Sequence, residues 1–187
     1  MFERNTAEKQ PNVLYVFTDN TDRTSGSGQV NPNSWYARKY GEGLKYPTRT
    51  TAVVRGLDNA RPVSTQRWYH DGAKGESGRW NDSDFEEFKK VIDEEFSDII
   101  KAWDTGKYDW IALPLGSKGT GYVNGMFYGN ISQITPERTP KLFEYLQDKF
   151  MELNEHLVNT TEKGLTQEQI DELKKEAEEI KKQCKGK

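Results

Sequence analysis

Between Ser83 and Leu115 the chain changes its apolar period, and that change restricts the fold more than any other feature. Apolar residues recur at Phe85, Phe88, Val91, Ile92, Phe96, Ile99, Ile100 and Trp103, at gaps of three and four that place them on one stripe of a helix. Ser83-x-x-Glu86 ahead of the stripe has the form of a capping box, and Gly106 closes the segment. Asp109-Trp-Ile-Ala-Leu-Pro-Leu115 follows, with consecutive apolar residues, as in a central strand covered on both faces. Pro114 lacks a ladder donor, so pairing is expected to end there or to lie at an edge. A helix with one apolar stripe feeding such a strand needs a sheet to pack on. The expected class is α/β, a central sheet covered by helices.

The remaining elements fit that alternation. Val13 to Phe17 is an apolar, β-rich run bounded by Pro11, and it reads as a buried strand that stops at Thr18. Ten polar residues follow, ending Gly26-Ser27-Gly28. Asn33 to Tyr40 reads as a short helix capped by Asn33 or Ser34, stopped by Gly41, with Trp35, Ala37 and Tyr40 inward. The β-branched run Thr50 to Arg55 reads as a second strand. From Gly56 to Ser83 the sequence is irregular, with a short strand expected over Val63 to Tyr69. This long segment is either a surface insertion whose tryptophans cover the core edge or a ligand-facing wall. Thr135-Pro136 and Thr139-Pro140 both have the form of helix starts, and Leu142, Phe143, Leu146, Phe150, Leu153 and Leu157 continue one apolar face.

Thr160 to Gly164 breaks the pattern. A last helix is expected from Thr166, with Ile170, Leu173, Ala177, Ile180 and Cys184 on a narrow, heptad-like stripe. Such a helix either folds back on the domain or pairs with a second copy, which would make a homo-oligomer. Residues 1–158 are therefore expected to form one ligand-binding domain and residues 159–187 a charged C-terminal helix.

Composition excludes several classes. With 27 Lys and Arg against 30 Asp and Glu, the net charge is −3, the wrong sign for a nucleic-acid binder that relies on phosphate neutralisation. Arg49, Arg55, Arg61 and Arg67 still fall close together. One cysteine, Cys184, and two histidines, His70 and His156, leave no disulfide framework and no cysteine or histidine metal site. No metal or cofactor is expected. Met1 to Gln10 is charged and polar, unlike a signal peptide, and no apolar run reaches bilayer length, so a cytoplasmic protein without a membrane partner is expected.

Two strands run into glycine loops, one at Gly26-Ser-Gly28 and one at Gly116-Ser-Lys-Gly-Thr-Gly121. Neither has the spacing of the Rossmann fingerprint or the P-loop. A strand passing into a polar glycine loop presents backbone N–H groups at a sheet rim, where an anion can bind. In α/β sheets ligands sit outside the carboxyl ends of strands, so two such loops on parallel neighbours would flank one cleft. The residues with chemical potential there are Asp19, Asn20, Asp22, Arg23, Lys118 and His70. Asn20 suits a ribose hydroxyl or an Asx turn. Asp19 suits an adenine amino group, an activated water, or plain solvent exposure. Arg23 and Lys118 suit a diphosphate or the surface. Trp35, Tyr122, Phe127 and Tyr128 suit a stacked base or the core. His70 has the pKa of a general base but no visible partner, and no serine or cysteine has a nucleophile's context.

Val16-Phe17-x-x-Asn20-Thr21, Gly26-x-Gly28, the Ala37 helix ending at Gly41, and Leu115-Gly-Ser-Lys-Gly-Thr-Gly-Tyr122 together resemble macro-domain-like proteins, especially a small branch common in phages and bacteria. The similarity spans roughly Val13 to Phe150, with the specificity in the two loops. It implies a three-layer fold, a central mixed sheet flanked by helices, and an ADP-ribose-containing or NAD-derived ligand. Asn20 with Gly26, Ser27 and Gly28 would contact the ribose and diphosphate, helped by Asp19 and Arg23. Gly116, Ser117, Lys118, Gly119, Thr120, Gly121 and Tyr122 would close over the phosphates. The chain departs from the branch at Thr18 and Asp19, where Gly-Ser is usual, at Lys118, and in the enlarged Gly56–Ser83 segment, which leaves the ligand and any catalysis open. Three functions follow. The first is binding without turnover, which in a phage would sequester an NAD-derived immune signal in the host cytoplasm as an anti-defence measure. The second is hydrolysis of ADP-ribose 1″-phosphate or of protein-linked ADP-ribose, and the third is non-catalytic protein interaction. Binding is favoured because no base–nucleophile pair is visible, and the catalytic residues of an enzyme would be unknown.

Overall fold

The computed structural model describes residues 2–23, 25–67, 78–114 and 134–160, together with 122–123, 126–127, 167–168, 171–172 and 175. The chain divides into two units, Met1–Arg79 with Lys101–Pro114, and Trp80–Ile100 with Leu115–Lys187. It is a mixed α/β protein.

The first unit contains α1 (Arg4–Glu8), β1 (Val13–Asn20), β2 (Gly28–Gln29), α2 (Trp35–Tyr40), β3 (Lys45–Tyr46), β4 (Ala60–Gln66) and β5 (Trp110–Ala112). Its sheet has the order β4-β1-β5, and β1 is parallel to both neighbours. Being paired on both sides, β1 is the central strand, and Leu14, Val16 and Phe17 are fully buried. The Asp109–Leu115 strand, expected to be central, is instead three residues long and pairs only with β1 among the described strands. Its pairing ends at Ala112, two residues short of Pro114, which has no N–H to continue it.

Two other expectations are corrected. Strand β1 does not stop at Thr18; it runs to Asn20, and Asp19 and Asn20 pair with Ser64 and Gln66. Polarity is a poor guide to this boundary because the polar groups have partners inside the protein. The Thr18 and Thr51 hydroxyls, for example, lie 2.6 Å apart. The β-branched run at Thr50 is not a strand either. Thr51–Val54 is a turn of 3-10 helix whose Ala52, Val53 and Val54 are buried, so tertiary packing overrides β propensity. The neighbouring strand is β4, beginning at Ala60 rather than Val63.

Helix α2 starts as expected. The Ser34 hydroxyl accepts from Ala37 N at 3.1 Å, and Gly41, at φ 106°, ends the helix. Its inward face is Tyr36 and Ala37, while Trp35 and Tyr40 are only half-buried. Asn59 ties α1 to β1, donating to the carbonyls of Ala7, Gln10 and Val13 at 3.0–3.1 Å.

The second unit is built on α3 (Phe85–Trp103, within the unit up to Ile100), β6 (Tyr122–Val123), β7 (Met126–Phe127) and α4 (Pro140–Thr160). The α3 stripe buries Phe88, Ile92, Phe96 and Ile99. The capping box lies two residues upstream of the expected one: Asn81 accepts from Asp84 N, and Asp84 accepts from Asn81 N at 3.0 Å. Helix α4 buries Leu142, Phe143, Leu146, Phe150 and Leu153, and Phe150 meets Phe96 edge-on at 4.9 Å. Of the two Thr-Pro pairs, Thr139-Pro140 starts a helix. Thr135-Pro136 makes a turn, in which the Thr135 hydroxyl accepts from Arg138 N at 3.2 Å. Residues 167–168, 171–172 and 175 are helical and exposed, whereas the stripe from Ile170 to Cys184 lies outside the described residues. No described helix is long and apolar enough to cross a membrane.

Candidate functional site

The carboxyl end of β1 is where the sheet, the following loop and the 3-10 helix converge. Between Asp19 and Asn20 the register with β4 slips by one, because Asp19 pairs with Ser64 and Asn20 with Gln66. Thr65 is passed over there, as at a β-bulge, a device common beside functional sites. Thr21 N then closes the strand on the carbonyls of Gln66 and Arg67, both at 3.1 Å.

The Asp19 side chain is fully buried, which excludes plain solvent exposure. Arg55, also fully buried, offers it the fork of its guanidinium, Nε to Oδ2 at 3.1 Å and Nη2 to Oδ1. The Tyr36 hydroxyl donates to Oδ2 at 2.7 Å, Arg23 Nη1 to the same oxygen at 3.3 Å, and Asn20 N to Oδ1 at 2.9 Å. Burial, reinforced by the carboxylate, pushes the Tyr36 phenol well above its ordinary value of 10.0 and keeps it a donor. A carboxylate has about four lone-pair sites, and these five donors leave none of them open. Asp19 is thus the counter-ion of the protein's own guanidiniums.

Arg55 also organises the loop. Its Nη1 donates to the carbonyls of Arg23 (3.1 Å), Ser25 (2.6 Å) and Lys45. Arg23 sits at φ 53°, a left-handed conformation uncommon outside glycine. The Asn20 side chain supports it by accepting from Arg23 N, and Asn20 Nδ2 reaches Ser25 Oγ at 3.4 Å. The Arg23 guanidinium lies 3.9 Å over the Tyr40 ring and donates to Asn20 O at 3.0 Å. Of the expected contact residues, Asp19, Asn20 and Arg23 are therefore brought together, buried and engaged with one another. Gly26 and Ser27 are exposed and Gly28 is half-buried.

A trans peptide is planar, with C=O and N–H opposed. Because the Ser25 carbonyl is drawn in to Arg55, the N–H of Gly26 is directed the other way, at an exposed residue. The glycines have a packing reason as well. A Cβ on Gly26, at φ 133°, would fall 2.3 Å from the Tyr46 backbone, and one on Gly28 would fall 2.2 Å from Tyr46 Cζ. The loop lies directly on Tyr46, and Ser27 N donates to Tyr46 O at 3.2 Å.

The second expected loop, Gly116, Ser117, Lys118, Gly119, Thr120 and Gly121, lies outside the described residues, as do His70 and Tyr128. Tyr122 opens β6 and Phe127 closes β7. The strands ahead of the two loops, β1 and β5, are parallel neighbours. Trp35 carries the Arg61 guanidinium at 3.8 Å over its ring. Among the described residues no three His, Cys, Asp or Glu side chains gather as a metal site would require.

Tyr36 and Tyr46 were not picked out by sequence reasoning, and Arg55 was noted only as one of four closely spaced arginines. Arg55 ends a run that reads as a strand, and Tyr36 is one of three aromatics on a short helix, with nothing local to single it out. No curated protein and no solved structure matches the chain. Residues 1–149 match a family described as "Family of unknown function (DUF7831)". The match covers well over half of the chain, and the protein belongs to that family.

Proposed function

We propose that the protein binds an ADP-ribose-containing or NAD-derived nucleotide at the carboxyl end of β1, with the Gly26–Gly28 loop against its diphosphate. The observation that carries the proposal is the loop's polarity: the buried Arg55 guanidinium takes the Arg23 and Ser25 carbonyls, so the N–H of the planar Ser25–Gly26 peptide points away from it. A backbone arranged in this way, with a cation behind it, favours an anion in front. The bulge and the parallel strands support the same location, since α/β sheets bind ligands at the carboxyl ends of their strands. The macro-domain-like three-layer arrangement, the cytoplasmic setting and the sequestration of an immune signal by a phage-encoded chain belong to the same proposal and rest on the sequence resemblance.

Binding without turnover is preferred to hydrolysis because the most buried carboxylate of the site is saturated by its own arginines and tyrosine. Incubation with ADP-ribose, its 1″-phosphate and cyclic relatives, followed by heat release and mass analysis, separates the two. Intact ligand supports sequestration and a cleaved product supports a hydrolase. A ligand at 100 times its Kd adds about 2.7 kcal/mol to stability. For a chain of this size that raises Tm by about 5–10 °C. If no adenine nucleotide in the series raises Tm, both forms of the proposal fail.

A further inference from the structure

We infer that Arg4 is a positioning residue for the β1–β2 loop: from outside the loop it holds both supports on which the loop rests. The first support is Arg55. The last carbonyls of a helical turn lack intrahelical donors, and Arg4 Nη1 donates to two of them, Val53 O at 2.9 Å and Arg55 O at 3.0 Å. Arg55 is then gripped at its backbone by Arg4 while its guanidinium grips the loop carbonyls. The second support is Tyr46. The Arg4 guanidinium stacks 3.8 Å from the centre of the Tyr46 ring, the ring that leaves no room for a side chain at Gly28. A single side chain, 16 % exposed, therefore connects α1 to both the cation behind the loop and the ring beneath it.

Helix α1 does not depend on Arg4 to stay in place. Ala7 is fully buried, and Asn59 holds its carbonyl at 3.1 Å. Loss of the Arg4 side chain should therefore loosen the loop while the sheet stays intact. A merely structural role would instead weaken the whole unit.

Amide hydrogen exchange in the ligand-free, full-length protein distinguishes the two. The reporters are Ser27 N–H, bonded to Tyr46 O, and Arg23 N–H, bonded to Asn20 Oδ1, with Phe17 in the central strand as reference. In Arg4→Ala the Ser27 and Arg23 amides are expected to exchange roughly tenfold faster while Phe17 is unchanged. Arg4→Lys, which keeps a donor and a cation, should fall between the two. Glu8→Ala, which removes the 3.2 Å ion pair of Arg4 but neither loop support, should behave as wild type. Equal acceleration at Phe17, or no acceleration at Ser27 and Arg23, overturns the assignment.

A second arm rests on the proposed function. ADP-ribose should bind Arg4→Ala roughly tenfold more weakly, with Arg4→Lys recovering part of the loss. If wild type fails to bind ADP-ribose, the proposed function falls and the exchange data alone decide the role of Arg4.

Discussion

At the scale of single residues, Asp19 anchors the site. A carboxylate 0 % exposed between two guanidiniums and a phenol is costly to create and more costly to break, because removing the anion leaves Arg55 buried without its counter-charge. Asp19→Asn should cost about 3–5 kcal/mol, read as a fall in Tm of about 10 °C or more. Tyr36→Phe removes one hydrogen bond to a charged group and should cost about 1.5–3 kcal/mol. It should also change the alkaline limb of stability. The folded pKa of Tyr36 lies above its ordinary value of 10.0, so the folded protein keeps a proton that the unfolded chain releases. That stabilisation is fully present below pH 10 and declines as pH rises beyond it. Denaturant melts of Tyr36→Phe from pH 8 to 11 should show a shallower loss than wild type. Some loss will persist, because burial also raises the Tyr15, Tyr108 and Tyr145 phenols. The chemical weight of Asp19 was legible in the sequence. Its partners Tyr36 and Arg55 were not, because they lie 17 and 36 positions away and periodicity carries only local information.

At the scale of elements, the Gly26-Ser-Gly28 signal has two causes that sequence alone could not separate. Glycine at a sheet rim suggests room for a ligand, but here both glycines are also required by the approach of Tyr46. The causes differ in their mutational signature. Gly28→Ala meets the Tyr46 ring first and should cost about 1–3 kcal/mol, a cost that largely disappears in a Tyr46→Ala background. Gly26→Ala meets Tyr46 backbone at φ 133° and should not be rescued by the same change. Paired thermal melts of the four variants test this. The elements read most accurately were α3 and α4, where long apolar stripes leave one possible inward face. Two of the misread segments owe their form to buried surroundings. A β-branched 3-10 turn and the polar end of a central strand both obey their surroundings before their own propensity.

At the scale of the molecule, the α/β class followed from alternating periods, and β1 and β5 are parallel neighbours, whereas the second glycine loop lies outside the described residues. Strand order was not legible, because β4 lies in a segment where only a short strand from Val63 was expected, and its pairing with β1 is long-range. The family match gives a lineage without a function, so the central claim rests on the chemistry of one loop. The most direct measurement is a titration of the isotope-labelled protein with ADP-ribose, following the Gly26, Ser27 and Gly28 amide resonances. Saturable shifts, largest at Gly26 and weakened together with binding in Arg55→Lys, are the expected result. Loop amides that stay unmoved while ADP-ribose is in large excess, or shifts confined to other parts of the chain, would contradict the claim.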